Sequence, residues 1–127
     1  VQFVLSCLDQ MAGGEVFVPK IPSMRVIDLA RALAPGCAIE YIGIRPGEKL
    51  HESLIGPDEA RQTWDLGDRY VIQPAHPWWK VQLQGEPVPD GWSYTSDTNT
   101  WELTPSDVEA WLHEGQRTQS MREGVYR

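Results

Sequence analysis

The sequence is poor in cysteine and in positive charge, and it contains no long apolar run. Cys7 and Cys37 are its 2 cysteines, and their separation does not match the spacing of a metal site. Two reduced thiols are therefore expected, which fits a cytoplasmic protein. No apolar stretch approaches the length that a membrane-spanning helix needs, so a membrane is not a predicted partner.

The deficit of positive charge constrains the partners further. With 11 lysines and arginines against 18 aspartates and glutamates, the net charge is −7, which argues against nucleic acid as a partner. A small phosphorylated ligand is still compatible, because it needs only one or two well-placed cations. Lys20, in a loop between two prolines, is one such cation, but we expect it to be solvated.

The motifs of most enzyme classes are also missing. The histidines, at positions 51, 76 and 113, are too far apart in sequence to indicate a zinc site. There is no Gly-rich phosphate loop and no nucleophile elbow. The sequence therefore predicts no metal site, no cofactor site and no catalytic residue of its own.

The length and the patterning predict one small domain. The chain begins at Val1 without a signal peptide, and we expect it to be a piece of a longer protein. Residues 1–115 mix helical and strand patterns, which predicts a single small α/β domain. Residues 116–127 are polar and aperiodic, which predicts a flexible tail.

The first part of this domain predicts a strand–helix–strand unit. Apolar residues at helical spacing predict a helix up to Gly13-Gly14, and Glu15–Val18 predicts a strand after it. Ser23 is the candidate N-cap of a second helix. Ile39–Ile44 then predicts a buried strand, and this order of elements indicates a right-handed crossover between two parallel or near-parallel strands.

The second part of the domain is more irregular. Strands are predicted at Arg69–Gln73 and Lys80–Leu83. Residues 49–55 fit a helical turn or a strand, and residues 58–67 fit a loop or a short helix. Thr104-Pro105-Ser106-Asp107 predicts a helix start with a capping box.

Arg45 is the first candidate ligand-binding residue. It follows the predicted strand and precedes Pro46-Gly47, a pair typical of a tight turn. In open α/β sheets ligands collect at the carboxyl ends of strands, and the guanidinium fork suits a phosphate. The alternative is a local ion pair with Glu48 or Glu52, and the residues alone leave both interpretations open.

Two further stretches could bind a ligand. Residues 93–100 are rich in hydroxyls and include Asp97 and Asn99, a composition that can hydrogen-bond a sugar or a base. The alternative is a loop whose side chains bond its own backbone. The 6 tryptophans, among them Trp78-Trp79, could form a carbohydrate-binding platform, although such residues more often pack in cores and interfaces.

Three segments together resemble one enzyme family. They are residues 13–24 (GGEVFVPKIPSM), 42–52 (IGIRPGEKLHE) and 94–99 (YTSDTN). These segments resemble the C-terminal part of the inverting UDP-N-acetylglucosamine 4,6-dehydratases, which are extended short-chain dehydrogenase/reductases of pseudaminic acid or surface-polysaccharide biosynthesis. The resemblance covers roughly residues 1–112, and its first two segments are long and ungapped.

The resemblance implies a fold and an activity for the longer protein. It implies a small mixed α/β C-terminal domain that binds the nucleotide sugar and lacks the Rossmann domain. The family holds NADP and its catalytic groups in that missing domain, so this chain alone is expected to be inactive. The intact enzyme is expected to be a homo-oligomer that converts UDP-N-acetylglucosamine to a 4-keto-6-deoxy sugar with inversion at C5.

The resemblance also implies site residues. Arg45 matches the family arginine that contacts the UDP-sugar, which favours the ligand interpretation over the ion pair. Ser96, Asp97, Thr98 and Asn99 match a substrate-contacting segment more loosely, and Asp97 is an unfavourable neighbour for a phosphate. A UDP-sugar epimerase of the same architecture and a non-catalytic binding module that uses its tryptophans are the alternatives.

Overall fold

The computed structural model describes residues 1–113, which form two compact units, and only the first of them contains antiparallel sheets. The first unit consists of Val1–Ile21 and His51–Thr98, and the second of Pro22–Leu50 with the described part of Asn99–Arg127. The predicted mixed α/β class is confirmed. The domain end predicted at residue 115 and the tail predicted at residues 116–127 lie outside the described residues.

The first unit contains one α-helix, one short 3₁₀-helix and six short strands. The elements are α1 (Gln2–Gln10), β1 (Val16–Pro19), β2 (Ser53–Ile55), β3 (Thr63–Asp65), β4 (Arg69–Ile72), β5 (Glu86–Pro87) and β6 (Tyr94–Thr95). The predicted first helix and the predicted strands at β1 and β4 are confirmed. The 3₁₀-helix (Ala60–Gln62) and β3 both lie within residues 58–67, where the sequence predicts a loop or a short helix; the short helix is confirmed, and the strand is an addition. The strand predicted at Lys80–Leu83 is wrong, since the pairing falls at β5 instead.

Two antiparallel sheets organise this unit. The larger one has the order β1-β4-β3-β5, and the smaller one pairs β2 with β6. Val18 of β1 and Asp65 of β3 both lie opposite Tyr70 of β4. Because side chains alternate along a strand, Tyr70 and Ile72 share one face of β4, and Arg69 and Val71 share the other.

The core of the first unit lies on the Tyr70 face of the larger sheet. Its buried members are Val18, Ile55 and Tyr94, with Tyr70, Ile72 and Trp92 packed around them. The Tyr94 hydroxyl donates to the Ile21 carbonyl oxygen at 2.8 Å and accepts from the Ile21 N–H at 2.9 Å. These two bonds fix β6 to the chain that follows β1.

The opposite face of β4 contacts α1 through Arg69. The guanidinium pairs with Asp68 at 2.6 Å, lies 5.1 Å from the centre of the Phe3 ring and donates to Cys7 Sγ at 3.5 Å. Phe3 and Cys7 are four residues apart on α1 and therefore lie on the same side of the helix. Arg69 thus joins the helix to the sheet.

The second unit contains α2 (Val26–Leu33) and the described part of α3, at residues 105–113. The cap predicted at Ser23 is wrong, because α2 begins after Arg25 and Ser23 forms a parallel bridge with Glu102. The predicted start of α3 is confirmed. The Thr104 N–H donates to Asp107 Oδ2 at 2.9 Å, and the Asp107 N–H donates to Thr104 Oγ1 at 3.3 Å, as in a capping box.

The buried strand predicted at Ile39–Ile44 is wrong. Within the described residues this stretch has no partner strand, and its large apolar side chains are exposed, Tyr41 to 83%. The predicted parallel crossover is wrong as well, since β1 pairs antiparallel with β4. β-branched residues form a strand only where a neighbouring edge completes the backbone hydrogen bonds, and local sequence does not specify that edge.

Candidate functional site

Arg45 begins a tight turn that Glu48 closes. The Glu48 N–H donates to the Arg45 carbonyl oxygen at 3.0 Å, and the Arg45 N–H donates to Glu48 Oε2 at 2.8 Å. Gly47 has a φ of +88°, a value that glycine adopts without strain. The predicted turn is therefore confirmed, and its backbone is fixed from both ends.

The Arg45 side chain is oriented by the same carboxylate but remains exposed. Its Nε lies 3.5 Å from Glu48 Oε1, and 70% of the side chain is exposed. An ion pair this exposed contributes at most about 1 kcal/mol to stability. The local ion pair that the sequence left as an alternative is thus present, but it is weak and leaves the guanidinium accessible to an anion.

Ser96, Asp97 and Thr98 lie together in an exposed turn after β6. The Ser96 N–H donates to the Glu52 carbonyl oxygen at 2.8 Å, and the Glu52 N–H donates to Ser96 Oγ at 3.0 Å. Thr95 Oγ1 donates to Asp97 Oδ1 at 2.6 Å and lies 2.7 Å from Thr98 Oγ1. The hydrogen bond from Thr95 lowers the pKa of Asp97, so this residue is a carboxylate at neutral pH.

Asn99, the last predicted substrate residue, belongs to the second unit. Its side-chain N–H donates to Ser23 Oγ at 3.0 Å, and its Oδ1 accepts from the Trp101 N–H at 3.1 Å. These bonds link the chain before α2 to the chain before α3. The Asn99 amide therefore contributes to the fold of this unit.

The five predicted substrate residues thus fall in two places. Ser96, Asp97 and Thr98 are in the first unit, and Arg45 and Asn99 are in the second. The hydroxyl-rich stretch bonds its own side chains and the nearby backbone, which is the structural alternative that its composition left open. Arg45 and the turn at 96–98 are the two features that remain exposed to a ligand.

Sequence patterns did not predict a charged cluster in the first unit. Lys20 Nζ lies 2.6 and 2.8 Å from the two Asp65 carboxylate oxygens and 4.6 Å from the centre of the Tyr70 ring. Although burial opposes ionisation, hydrogen bonds from Lys20 and from the Gly67 N–H lower the pKa of Asp65. The expectation of a solvated Lys20 is wrong, because the register of the sheet places Asp65 and Tyr70 side by side.

The second unit contains an open cleft of about 360 Å³ lined by Arg25, Asp28, Glu102 and residues 103–105. Arg25 Nε lies 2.7 Å from Asp28 Oδ2, and this hydrogen bond lowers the pKa of Asp28. None of the five predicted substrate residues lines the cleft. Since Asp28 and Glu102 outnumber Arg25 in its lining, the cleft carries a net negative charge that disfavours a phosphate.

Only one member of the tryptophan pair is presented to solvent. Trp78 is 70% exposed and stacks on His76, with ring centres 5.2 Å apart and 11° between the planes. Trp79 is half-buried, and its indole N–H donates to the Gly13 carbonyl oxygen at 2.9 Å. Trp79 therefore anchors its loop to the turn between α1 and β1, and a two-residue binding platform is not formed.

The described residues do not fit the dinucleotide cofactor that the resemblance implies for the longer protein. A dinucleotide site places a Gly-rich turn after a strand and before a helix N-terminus. Here Gly13-Gly14 follows α1 and leads into β1, which is the reverse order.

Two other kinds of feature are absent from residues 1–113. No group of three or more histidine, cysteine, aspartate or glutamate side chains is arranged to hold a metal ion there. No helix in that range is both long enough and apolar enough to cross a membrane.

Comparison with known proteins supports the resemblance seen in the sequence. Two inverting UDP-N-acetylglucosamine 4,6-dehydratases from Campylobacter jejuni strains are 45% and 44% identical to the chain, over 108 and 113 residues. Each match covers 78% of this chain and 32% of the dehydratase. A UDP-glucose 4-epimerase from Rickettsia canadensis is 37% identical over 76 residues, which cover 57% of this chain and 22% of the epimerase.

A solved structure and a family profile extend this comparison. The X-ray structure of Pen from Bacillus thuringiensis shares the fold, with a TM-score of 0.73 and 24% identity over 91% of this chain and 36% of that chain. The chain spans about a third of the length of the curated dehydratases it matches. Residues 1–74, more than half of the chain, match the polysaccharide biosynthesis protein family, and the chain therefore belongs to that family.

Proposed function

We propose that this chain is the nucleotide-sugar-binding part of a UDP-N-acetylglucosamine 4,6-dehydratase. The 45% identity to the Campylobacter jejuni enzyme supports this function. The observation that carries it is the Arg45 turn. Two hydrogen bonds between Arg45 and Glu48 fix its backbone, and 70% of the arginine side chain stays exposed. The longer enzyme would convert UDP-N-acetylglucosamine to a 4-keto-6-deoxy sugar with inversion at C5, in pseudaminic acid or surface-polysaccharide biosynthesis.

In this proposal Arg45 binds the diphosphate of the UDP-sugar. The guanidinium donates charge-assisted hydrogen bonds to the phosphate oxygens, while Glu48 fixes the turn that carries it. This binding energy comes from a part of the substrate remote from the reacting carbons, and it holds the sugar for the reaction. NADP, bound outside the described residues, would supply the hydride chemistry.

The segment Ser96, Asp97, Thr98 and Asn99 is assigned to the sugar or the base. An ionised Asp97 accepts hydrogen bonds from hydroxyls and repels a phosphate, so we place it against sugar hydroxyls. The proposed binding partner is therefore a UDP-sugar. The longer enzyme would form a homo-oligomer and would act in the cytoplasm.

Substitution of Arg45 tests this assignment in the longer enzyme. Arg45→Ala should weaken UDP binding about 10–150-fold, because a hydrogen bond to a charged group contributes about 1.5–3 kcal/mol. Isothermal titration calorimetry with UDP measures the change. Arg45→Lys keeps the charge but loses the planar fork, so its affinity should be intermediate.

The matched control is Arg61→Ala. Arg61 is also an exposed arginine in an ion pair, with Asp90 at 3.1 Å, and its removal should leave UDP affinity unchanged. If Arg45→Ala binds UDP as tightly as the Arg61→Ala control does, Arg45 is not a substrate residue.

A UDP-sugar epimerase is the second candidate, because the Rickettsia canadensis epimerase matches 57% of the chain. Mass spectrometry of the product of the longer enzyme separates the two reactions. A product that has lost one water identifies a dehydratase, and a product with the mass of the substrate identifies an epimerase.

A further inference from the structure

α1 has two different faces, and one of them is apolar and uncovered. Phe3, Ser6 and Cys7 are the half-buried residues of the helix, and two of them contact Arg69. Four apolar side chains with exposed fractions between 51% and 60% recur at helical spacing on the opposite side. This outer stripe consists of Val4, Leu5 and Leu8 of α1 and of Met11, the residue that follows the helix.

The chemistry of the outer stripe restricts what can cover it. α1 contains no lysine or arginine, and Asp9 is its one charged residue. Helices that lie on membrane surfaces carry basic residues on their polar face, so a lipid surface does not fit. A helix that is apolar on one side and packed on the other is typical of an element buried between two layers. The surface that matches the stripe is therefore an uncharged, apolar protein surface.

The length of the curated relatives indicates where such a surface is found. The matched region is 32% of each Campylobacter jejuni dehydratase, so about two thirds of such an enzyme lies outside it. We propose that the outer stripe of α1 is the surface on which the remaining part of the longer protein packs. This inference takes from the proposed function only the existence of that longer protein. It does not depend on Arg45, which belongs to the other unit.

Hydrogen–deuterium exchange in the 127-residue chain and in the longer protein tests the proposal. The α1 amides, such as that of Leu5, which donates to the Val1 carbonyl oxygen at 3.1 Å, should exchange at least about tenfold more slowly in the longer protein. Equal exchange in both proteins, or a coding sequence that contains no further domain, would overturn the proposal.

Paired substitutions give an independent readout. Leu5→Glu with Leu8→Glu should restore fast exchange of α1 in the longer protein, and should leave the thermal midpoint of the 127-residue chain close to that of its control. The control, Gln2→Glu with Gln10→Glu, adds the same charge to the same helix outside the outer stripe and should keep exchange slow. If the two pairs have equal effects in the longer protein, the stripe is not its contact surface.

Two further outcomes are distinguishable. A 127-residue chain that sediments as a dimer, and that Leu5→Glu with Leu8→Glu makes monomeric, would identify a second copy as the occupant and overturn the proposal. Unchanged UDP affinity in Arg45→Ala would contradict the proposed function. It would leave the present inference intact if the α1 amides are still protected in the longer protein.

Discussion

Arg69 and Arg61 each pair with an aspartate, but water reaches the two arginines to very different extents. Arg69 is 5% exposed and contacts α1 as well as Asp68, whereas the Arg61 side chain is 74% exposed and pairs with an equally exposed Asp90. A buried hydrogen-bonded charge is costly to disturb, while an exposed ion pair contributes little. The chemistry of the two pairs is the same, and burial determines the contribution of each to stability.

Arg69→Ala should lower the free energy of unfolding by about 1.5–3 kcal/mol, because it removes the charge-assisted hydrogen bonds of a buried guanidinium and its contact with the Phe3 ring. Arg61→Ala should lower it by less than about 1 kcal/mol. Urea denaturation followed by circular dichroism measures both. Equal losses for the two variants would contradict the role assigned to Arg69.

Among the elements, the edge strand β5 depends on Gly85, the residue directly before it, which has no side chain. A Cβ at Gly85 would overlap the carbonyl oxygen of Asp65 in β3 and would lie 3.1 Å from Leu66 Cδ1. A Cβ at Gly56 would meet only the end of the flexible Glu59 side chain, at 3.5 Å. The two positions therefore provide a matched test of how closely β5 must approach β3.

Gly85→Ala should lower the free energy of unfolding by about 1–3 kcal/mol, because the added methyl group forces the strands apart. Gly56→Ala should be neutral, or stabilise by up to about 1 kcal/mol through the lower entropy of the unfolded chain. Urea midpoints measure the difference. A Gly85→Ala variant as stable as Gly56→Ala would mean that β5 moves aside without cost.

For the whole molecule, lowered aspartate pKa values predict sensitivity to acid. Hydrogen bonds from Arg69 and Arg25 lower the pKa of Asp68 and Asp28, respectively. Lys20 and the Gly67 N–H lower the pKa of Asp65 against the opposing effect of burial. A folded-state pKa below the unfolded value of about 3.9 adds stability above that pH, and this stability is lost as the pH falls through the folded-state value.

The free energy of unfolding should therefore decline below about pH 4, which urea midpoints across a pH series would measure. Asp65→Asn should lower stability at pH 7 and make this decline shallower, because one linked carboxylate is gone. Asp90→Asn, at the exposed pair, controls for the loss of one negative charge and should change stability at pH 7 by less than about 1 kcal/mol. An acid decline in Asp65→Asn as steep as in the unmodified chain would refute the linkage.

The scale of each feature also determines how far the sequence could predict it. The spacing in α1, the turn at Arg45 and the capping box at Thr104 depend on residues close together in the chain, and the structure contains all three. The pairing of Lys20 with Asp65 depends on which strand edges meet, and no local pattern encodes it. Ile39–Ile44 shows the reverse case, a strand-forming sequence without an adjacent edge within the described residues.

The turn at Arg45 has a consequence for how an anion would bind there. Glu48 Oε1 already lies 3.5 Å from Nε of the exposed guanidinium, so an incoming phosphate competes with a resident carboxylate for part of its hydrogen-bonding capacity. The net gain in binding free energy is then the difference between two anions that compete for one cation. This difference favours an anion with two negative charges over an anion with one. Glu48 need not leave the turn during this exchange, because its other oxygen holds the Arg45 backbone N–H.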